Sequence, residues 1–441
     1  MNDFFKLKEH NTTVRTEVIA GITTFVTMAY ILVVNPIYLA EAGMDFNAVF
    51  MATCISAAIG TLIMGLYAKL PFAQAPGMGL NAFFAYTVVL TLGYTWEAAL
   101  AAVFISGLFF ILLTVTGFRE TIVEAIPNSL KHAIGAGIGL FIAFIGFQNS
   151  GIVVDSPATL ITLGDFTQPT VLLAVIGLVI TAVLMSRKVR GGLLLGIIIT
   201  TLIGIPMGVT DTTWNAFSLN IMPTFGKALS PGFSDLLSMG GGFVAVASSI
   251  FVVVLSFVLV DMFDTIGTLI GTGAKAGMLD ENGKLPNMNK ALMADAVATA
   301  AGALLGTSTV TTYVESAAGV SEGGKTGLTA VTTGILFLLA IFLAPFALMV
   351  PGQATAPALI IVGVLMMTTI KNINFDDFEE SLPAFFTLAI MAFTYSISNG
   401  IGAGLIFYPI TKLAAGKPKE IHPLVYFLAI IFVLKLAFLP R

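Results

Sequence analysis

Apolar runs that are long enough to cross a lipid bilayer follow one another along nearly the whole chain, and this recurrence constrains the fold most strongly. A spanning helix needs about 20 mostly apolar residues. Only 10% of the residues are charged, whereas a typical soluble domain has about 25%. The sequence therefore predicts an all-α polytopic membrane protein. Fourteen candidate spans lie at 17–40, 47–68, 76–93, 96–117, 130–149, 170–186, 191–208, 243–271, 291–306, 309–320, 327–349, 356–370, 382–398 and 400–415.

Basic residues alternate across these runs and predict the orientation of the chain. The N-terminal segment and the gaps after even-numbered runs carry Lys and Arg, whereas the other gaps carry mostly acidic residues or little charge. Because Lys and Arg concentrate on the cytoplasmic side, both ends of the fourteen-helix unit are predicted to be cytoplasmic. A last apolar run at 421–439 contains Lys435. We interpret this run as interfacial or partly embedded, and an additional span stays an alternative.

The third and tenth runs are interrupted in a way that points to a transporter. The third begins "PFAQAPGMGLNAFFAYTVV", where Pro and Gly disfavour a helix, and the tenth, "GTSTVTTYVESAAGVSEGG", is short and rich in Thr and Ser. Each is predicted to be an extended piece joined to a half-helix, which protein must enclose because exposed backbone cannot face lipid. The two runs are seven apart, which predicts a 7+7 inverted repeat with the substrate site at the interruptions.

Two carboxylates lie inside the eighth run, in "SFVLVDMFDTIGT". Asp261 and Asp264 are three residues apart and therefore share a helix face with Thr265 and Thr268. A charge at a helix centre costs about 2.5–3.5 kcal/mol on insertion scales. A protonated carboxyl costs less to bury, which suits a proton-coupled site. The alternative is that an Asp only braces a neighbouring broken helix, and this alternative is stronger for Asp264 than for Asp261.

Glu315 and Asn81 occupy matching places after the two interruptions. If the Thr-rich stretch is extended, the tenth half-helix should begin near 310–313 and hold Glu315 in its first turn, where the helix dipole favours a carboxylate. Asn81 offers both donors and an acceptor, which suits a ligand edge of the same kind. Their alternatives are a simple helix-start acid and an amide that satisfies its own broken backbone.

Aromatic side chains flank these polar positions, and Phe83 and Phe263 are candidates for stacking on a flat ligand. With 35 Phe in the chain, each one also has a simple packing role as its alternative. Asp295 lies near the start of the ninth run beside Lys290, and we interpret it as interfacial.

One motif conflicts with its surroundings. "GVSEGGKT", at 319–326, matches the phosphate-binding loop letter for letter, but that loop works only between a strand and a helix of a soluble domain. We therefore interpret it as a tight exit from the tenth run. The three His and the single Cys54 form no metal-ligand pattern. Neither a catalytic constellation nor a metal site is predicted, so the chain is not expected to be an enzyme.

The sequence resembles the nucleobase–cation symporter-2 superfamily, in its AzgA-like adenine/guanine/hypoxanthine permease branch. The stretches that carry the resemblance are "AGITTFVTMAYILVVNP", "QAPGMGLNAFFAYTVV", "LVDMFDTIGTLIG" and "TSTVTTYVESAAGVSEGGKTGLTA". It implies the uracil-permease-like fold, with short strands in spans 3 and 10. The implied core domain comprises 1–127 and 239–350, and the implied gate domain comprises 128–238 and 351–441.

The same resemblance implies proton-coupled import of purine bases across the cytoplasmic membrane, with the proton as coupling ion and no cofactor. It puts Asn81, Asp261 and Glu315 in the substrate site and makes Asp264 important for transport. Asp261 stands where the uracil and xanthine branches carry Glu, which argues against those substrates. The expected partners are the purine, protons and the bilayer, with a homodimer left open and no nucleic acid. The rival hypotheses are an anion transporter or channel on this scaffold and a membrane enzyme.

Overall fold

The structure is a computed structural model that describes residues 4–117, 125–212, 218–238, 243–280 and 285–438. The side chains of 243–249, 274, 275, 435 and 438 are outside this description. Arg119, Lys284 and the side chain of Lys275, which entered the prediction of orientation, therefore lie outside the described part. So does the side chain of Lys435, which entered the interpretation of the last apolar run.

Helices dominate the described chain. They are α1 Val14–Met28, α2 Ile31–Glu41, α3 Phe46–Ile63, α4 Met78–Ala82, α5 Trp96–Thr116, α6 Asn128–Asn149, α7 Pro169–Ser186, α8 Gly192–Gly204, α9 Gly232–Ser238, α10 Phe243–Lys275, α11 Met288–Leu305, α12 Ser316–Ser321, α13 Gly327–Leu339, α14 Ala344–Ala347, α15 Gly352–Met366, α16 Phe378–Phe393, α17 Ile397–Ala414 and α18 Pro423–Phe438. Turns of π-helix cover Met64–Ala68 and Phe83–Thr91, and 3₁₀ turns cover Ala340–Leu343, Met367–Asn372 and Pro418–Glu420.

Polar residues at the helix starts explain where several helices begin. The side chain of Asp45 accepts a hydrogen bond from the Ala48 amide at 2.8 Å at the start of α3. Thr95 does the same for the Ala98 amide at 3.2 Å at the start of α5. Such caps satisfy backbone donors that have no partner inside the helix. The chain therefore marks its helix starts with single polar residues between apolar runs.

In the described part of the chain, four short strands form two separate antiparallel pairs. Strand β1, Gln74–Pro76, pairs with β4, Val310–Thr312, so that Ala75 lies opposite Thr311. The second pair, β2 Val153–Ser156 with β3 Leu160–Leu163, forms a hairpin that the sequence analysis did not predict. The β1–β4 pair is fully buried. It joins two segments that are more than 230 residues apart in the chain.

The helices pack in two groups. In one, α2 packs on α3, α13 packs on α1 and α3, α11 packs on α5 and α3, and α10 packs on α5. In the other, α15 packs on α6 and α7, α16 packs on α6 and α17, and α8 packs on α7. Helix α18, which covers most of the last apolar run, packs on α17 and buries Val425 and Phe432. Contacts between the groups bring the ends of α2, α6 and α15 together.

Eight helical stretches of the described chain are long and apolar enough to cross a bilayer. They are Val14–Glu41, Phe46–Ala68, Trp96–Thr116, Asn128–Asn149, Pro169–Ser186, Ile250–Gly273, Gly327–Ala347 and Gly352–Asn372. Shorter apolar helices cover Met78–Thr91, Gly192–Gly204 and Pro423–Leu434. The prediction of a helical, polytopic membrane fold is confirmed. The first predicted run is two helices, because α1 ends at Met28 and α2 begins at Ile31.

The segment that resembles a phosphate-binding loop has a different role in the fold. The carboxylate of Glu17, fully buried in the first turn of α1, accepts hydrogen bonds from the backbone amides of Lys325 and Thr326 at 3.0 and 3.2 Å. It also accepts a bond from the Thr329 hydroxyl at 2.6 Å. An internal carboxylate therefore occupies the backbone donors that would face a phosphate in a nucleotide-binding loop. It ties α1 to the start of α13.

Candidate functional site

The candidate site lies around the antiparallel pair of strands β1 and β4. We call this place, where the third and tenth runs meet, the strand crossing. Side chains close this crossing on both sides: the Tyr313 hydroxyl donates to the Pro76 carbonyl at 2.5 Å, and the Gln74 amide donates to the Thr312 hydroxyl at 3.2 Å. The Gly77 amide donates to the Thr309 carbonyl at 3.0 Å and extends the ladder by one bond. The extended backbone is therefore satisfied by protein, as irregular backbone at membrane depth requires.

Glu315 lies three residues after the end of strand β4, at the residue before helix α12 begins. The prediction of a half-helix starting near 310–313 is wrong, since β-branched Val310, Thr311 and Thr312 form strand β4 instead. The half-buried Glu315 carboxylate accepts a hydrogen bond from the Tyr30 hydroxyl at 2.8 Å. Tyr30 lies at the break between α1 and α2. This break brings a phenol to the candidate site that the sequence analysis did not identify.

Asn81 lies in α4, one turn after strand β1, and is fully buried. Its side-chain oxygen meets the Ser308 hydroxyl, just before strand β4. Among the described residues, its amide nitrogen has no hydrogen-bond partner. A buried amide donor without a partner costs free energy, so this nitrogen is available to a ligand or a water molecule at the crossing.

Helix α10 passes the crossing with its polar face. The Thr265 hydroxyl lies 2.7 Å from the Thr311 hydroxyl of strand β4 and donates to the Asp295 carboxylate of α11 at 2.7 Å. Asp264, half-buried on the same helix, lies beside the Thr311 hydroxyl as well. These contacts fix α10 to β4 and α11. The interpretation of Asp295 as interfacial is wrong, because its carboxylate is fully buried and hydrogen-bonded to α10.

Asp261 is fully buried one turn before these contacts. On the opposite side of it along α10, the ring of Phe257 packs edge-on against Phe83 of the π-helical turn, with centroids 4.8 Å apart. Phe257, Asp261 and Thr265 recur at a spacing of four and share one face of the helix. Asp261 is therefore held between the segment that follows β1 and strand β4.

The structure brings some of the predicted residues together more closely than others. The charges of Asp264 and Glu315 interact, and Tyr30 lies near both. Asn81 instead lies next to Ser308, just before strand β4. Phe83 is 1% exposed, which leaves little of its ring for a ligand. Phe263 is half-buried against the core.

The side chains at the crossing can form hydrogen bonds of both polarities. Carboxylates accept, the Asn81 nitrogen donates, and the hydroxyls of Tyr30 and Thr311 do either. Within the described ranges, no group of three or more His, Cys, Asp or Glu side chains is arranged to hold a metal ion. The site therefore has the chemistry to bind a neutral polar ligand and to hold a proton.

A helical membrane fold with buried carboxylates beside crossed, interrupted segments defines the class of a polytopic membrane transporter. A model of the permease family matches residues 15–403. The chain therefore belongs to this family of nucleobase–cation symporters. This confirms the predicted family and the prediction that the chain is a transporter rather than an enzyme.

Relatives match over the full length of the chain. The guanine/hypoxanthine permease PbuG of Bacillus subtilis is 47% identical over 450 residues, covering 100% of both chains. The adenine permease AdeP of Escherichia coli is 46% identical over 438 residues, covering 99% of this chain and 95% of AdeP. The transmembrane domain of the cyanobacterial bicarbonate transporter BicA has a TM-score of 0.64 at 15% identity. The match covers 88% of this chain and 97% of the BicA chain, and it shows that the two share a fold.

Proposed function

We propose that this protein imports purine bases, namely adenine, guanine or hypoxanthine, across the cytoplasmic membrane together with protons. The observation that carries the proposal is the convergence of Asp261, Glu315 and Asn81 on one buried strand crossing. The edge of a purine presents N–H donors beside ring-nitrogen acceptors. The carboxylates of Asp261 and Glu315 can accept from the N–H groups, and the Asn81 amide can donate to a ring nitrogen. The similarity to the adenine permease AdeP and the guanine/hypoxanthine permease PbuG supports the same substrate class.

We further propose a fourteen-span, 7+7 arrangement in which the two helix groups are a core domain and a gate domain. The core would comprise 1–127 and 239–350, and the gate 128–238 and 351–441. The separate packing of the two groups supports this division. Strand β1 ends at the first residue of the third span of that scheme, and β4 lies in the tenth. Transport would then move the core against the gate, with both chain ends cytoplasmic. The bilayer is the remaining partner, and a homodimer is compatible with this arrangement.

The coupling proton is assigned to Asp261 or Glu315, without any cofactor. A buried carboxyl is more easily held in its neutral form, so one of the two carries the proton while the other stays a charged acceptor for the base. Asp264 is assigned the supporting role, because it lies beside Thr311, where Thr265 of α10 contacts strand β4 at 2.7 Å. Phe263 is the better candidate for stacking on the base, since Phe83 is enclosed by protein.

Anion transport on the same scaffold is the alternative. The fold shared with a bicarbonate transporter raises it, but the similarity of 15% identity concerns the fold alone. Anion sites use cations or free helix N-termini. At this crossing Asp261, Asp264 and Glu315 would repel an anion, so a neutral base is favoured.

Uptake of labelled hypoxanthine into cells or proteoliposomes tests the proposed function. Unlabelled adenine and guanine should compete with the label, uracil should not, and a protonophore should abolish accumulation. The control is the same membrane without the protein. Transport of sulfate or bicarbonate, together with no competition by adenine or guanine for the label, would overturn the proposal.

Tyr30→Phe tests the hydrogen bond to Glu315. The variant removes only the hydroxyl that donates at 2.8 Å. Hydrogen bonds to charged groups contribute about 1.5–3 kcal/mol, and 1.4 kcal/mol corresponds to a factor of about ten. We therefore expect uptake at low purine concentration to fall by about tenfold or more, with normal abundance in the membrane. The control is Tyr67→Phe, an exposed tyrosine. Equal uptake by both variants would contradict the role of Tyr30.

A further inference from the structure

A cavity of about 190 Å³ lies where the ends of three helices from the two groups meet. Glu41 is the last residue of α2, Asn149 is the last residue of α6, and Gly352 is the first residue of α15. Tyr30 and Glu41 are eleven residues apart along α2, so helix geometry places them about 16 Å apart. The cavity is therefore distinct from the strand crossing.

The walls of this cavity combine apolar and polar side chains. Val34, Ile37 and Leu359 provide the apolar surface. Typical drug-sized pockets occupy about 300–1,000 Å³. A cavity with these walls and this smaller volume suits a flat bicyclic base and is too small for a nucleotide.

Hydrogen bonds orient the polar side chains around the cavity. The Tyr86 hydroxyl donates to one Glu41 carboxylate oxygen at 2.6 Å and accepts from the Asn149 amide nitrogen at 3.1 Å. This chain fixes both side chains and uses one oxygen of Glu41 and the nitrogen of Asn149. The second carboxylate oxygen and the amide oxygen of Asn149 are then acceptors for a ligand.

Tyr38 supplies the strongest sign that the cavity receives a ligand. It lines the cavity, it is 1% exposed, and its hydroxyl has no hydrogen-bond partner among the described residues. Buried polar groups are nearly always bonded. A hydroxyl that is buried, unpartnered and at a cavity wall can be satisfied by a ring nitrogen or a carbonyl of a bound molecule.

We propose that this cavity is an entry site that holds a purine base on the outer side before the base reaches the strand crossing. The base would donate its N–H groups to Glu41 and Asn149 and would accept from Tyr38. The inference rests on the proposed function for its ligand and for the outer position of Glu41. Because the cavity lies between the two helix groups, movement of one group against the other would release the base inward.

Gly352→Cys provides a reporter for occupancy of the cavity. Among the described residues, no neighbouring heavy atom lies within 4 Å of a Cβ added at Gly352. The native Cys54 is buried and should react slowly. In the Asp261→Asn background, which weakens the central site, purine should still slow the reaction of the introduced thiol with a membrane-impermeant maleimide. Adding Glu41→Gln should raise the half-protecting concentration by about tenfold, since a bond to a charged acceptor is lost. The exposed Asp155→Asn is the matched control for charge.

Uptake kinetics give a second readout that does not depend on the reporter. Glu41→Gln alone should raise the external purine concentration for half-maximal uptake by about tenfold while the maximal rate changes less than about twofold. Absence of purine protection, or protection that Glu41→Gln leaves unchanged, would overturn the entry site. If the unmodified protein takes up no purine at all, the proposed function fails instead, and the two failures are distinguishable.

Discussion

Asp261→Asn should abolish proton-driven purine accumulation while the protein stays in the membrane at nearly normal abundance. Asn has almost the shape of Asp, so the packing between Phe257 and Thr265 is kept. It cannot take up or release a proton, and its NH₂ group would face the N–H groups of the base. Loss of a bond to a charged acceptor alone costs about 1.5–3 kcal/mol, or roughly ten- to a hundredfold in affinity. Loss of coupling would remove the remaining accumulation.

Asp264→Asn is the companion variant. It distinguishes a residue that binds the base from a residue that stabilises the fold around the site. Asp264 lies beside Thr311, where α10 contacts strand β4, so its replacement should lower abundance or thermal stability together with uptake. Asp261→Asn should lower uptake only. Uptake is measured with labelled hypoxanthine over time, and abundance is measured by immunoblot of the membrane fraction. Normal protonophore-sensitive accumulation by Asp261→Asn would refute the role that we assign to this carboxylate.

Local chemistry made part of this molecule predictable from its sequence. Apolar runs must cross the bilayer, and Pro and Gly in the third run and β-branched Thr and Val in the tenth disfavour regular helix. Carboxylates inside an apolar run are expensive enough to indicate a site. The composition of Gln74–Pro76 and Val310–Thr312 therefore indicated extended segments, although the partner and register of each strand depend on contacts more than 230 residues apart.

Other features depend on tertiary contacts that no local pattern reports. The break that separates α1 from α2 contains neither Pro nor Gly, and its consequence, the bond from Tyr30 to Glu315, joins residues 285 positions apart. Asp295 looks interfacial because Lys290 is near it in the sequence, but packing of α11 brings its carboxylate to Thr265. Charge and position in a run cannot distinguish a buried acid from an interfacial one when the partner comes from another helix.

Glu17 is the clearest example of such a partner and carries the prediction with the largest effect on stability. Glu17→Ala should leave the amides of Lys325 and Thr326 and the hydroxyl of Thr329 buried without their acceptor. Removing one partner of a buried charged pair costs about 3–5 kcal/mol, and these three donors meet a carboxylate in the same way. We therefore expect a loss of about 3 kcal/mol or more and a lower temperature of unfolding.

The single cysteine makes this measurement direct. Cys54 is buried, so a thiol-reactive fluorophore in detergent reports unfolding as the temperature rises. Glu9→Ala is the matched control, because Glu9 is 65% exposed and pairs with Lys6 on the surface, where ion pairs contribute about 0–1 kcal/mol. Glu17→Gln keeps one acceptor oxygen and should fall between the two. If Glu17→Ala unfolds at the same temperature as Glu9→Ala, the carboxylate does not hold the loop. If it unfolds earlier and ATP leaves both transitions unchanged, the loop that resembles a nucleotide site is a structural joint between α1 and α13.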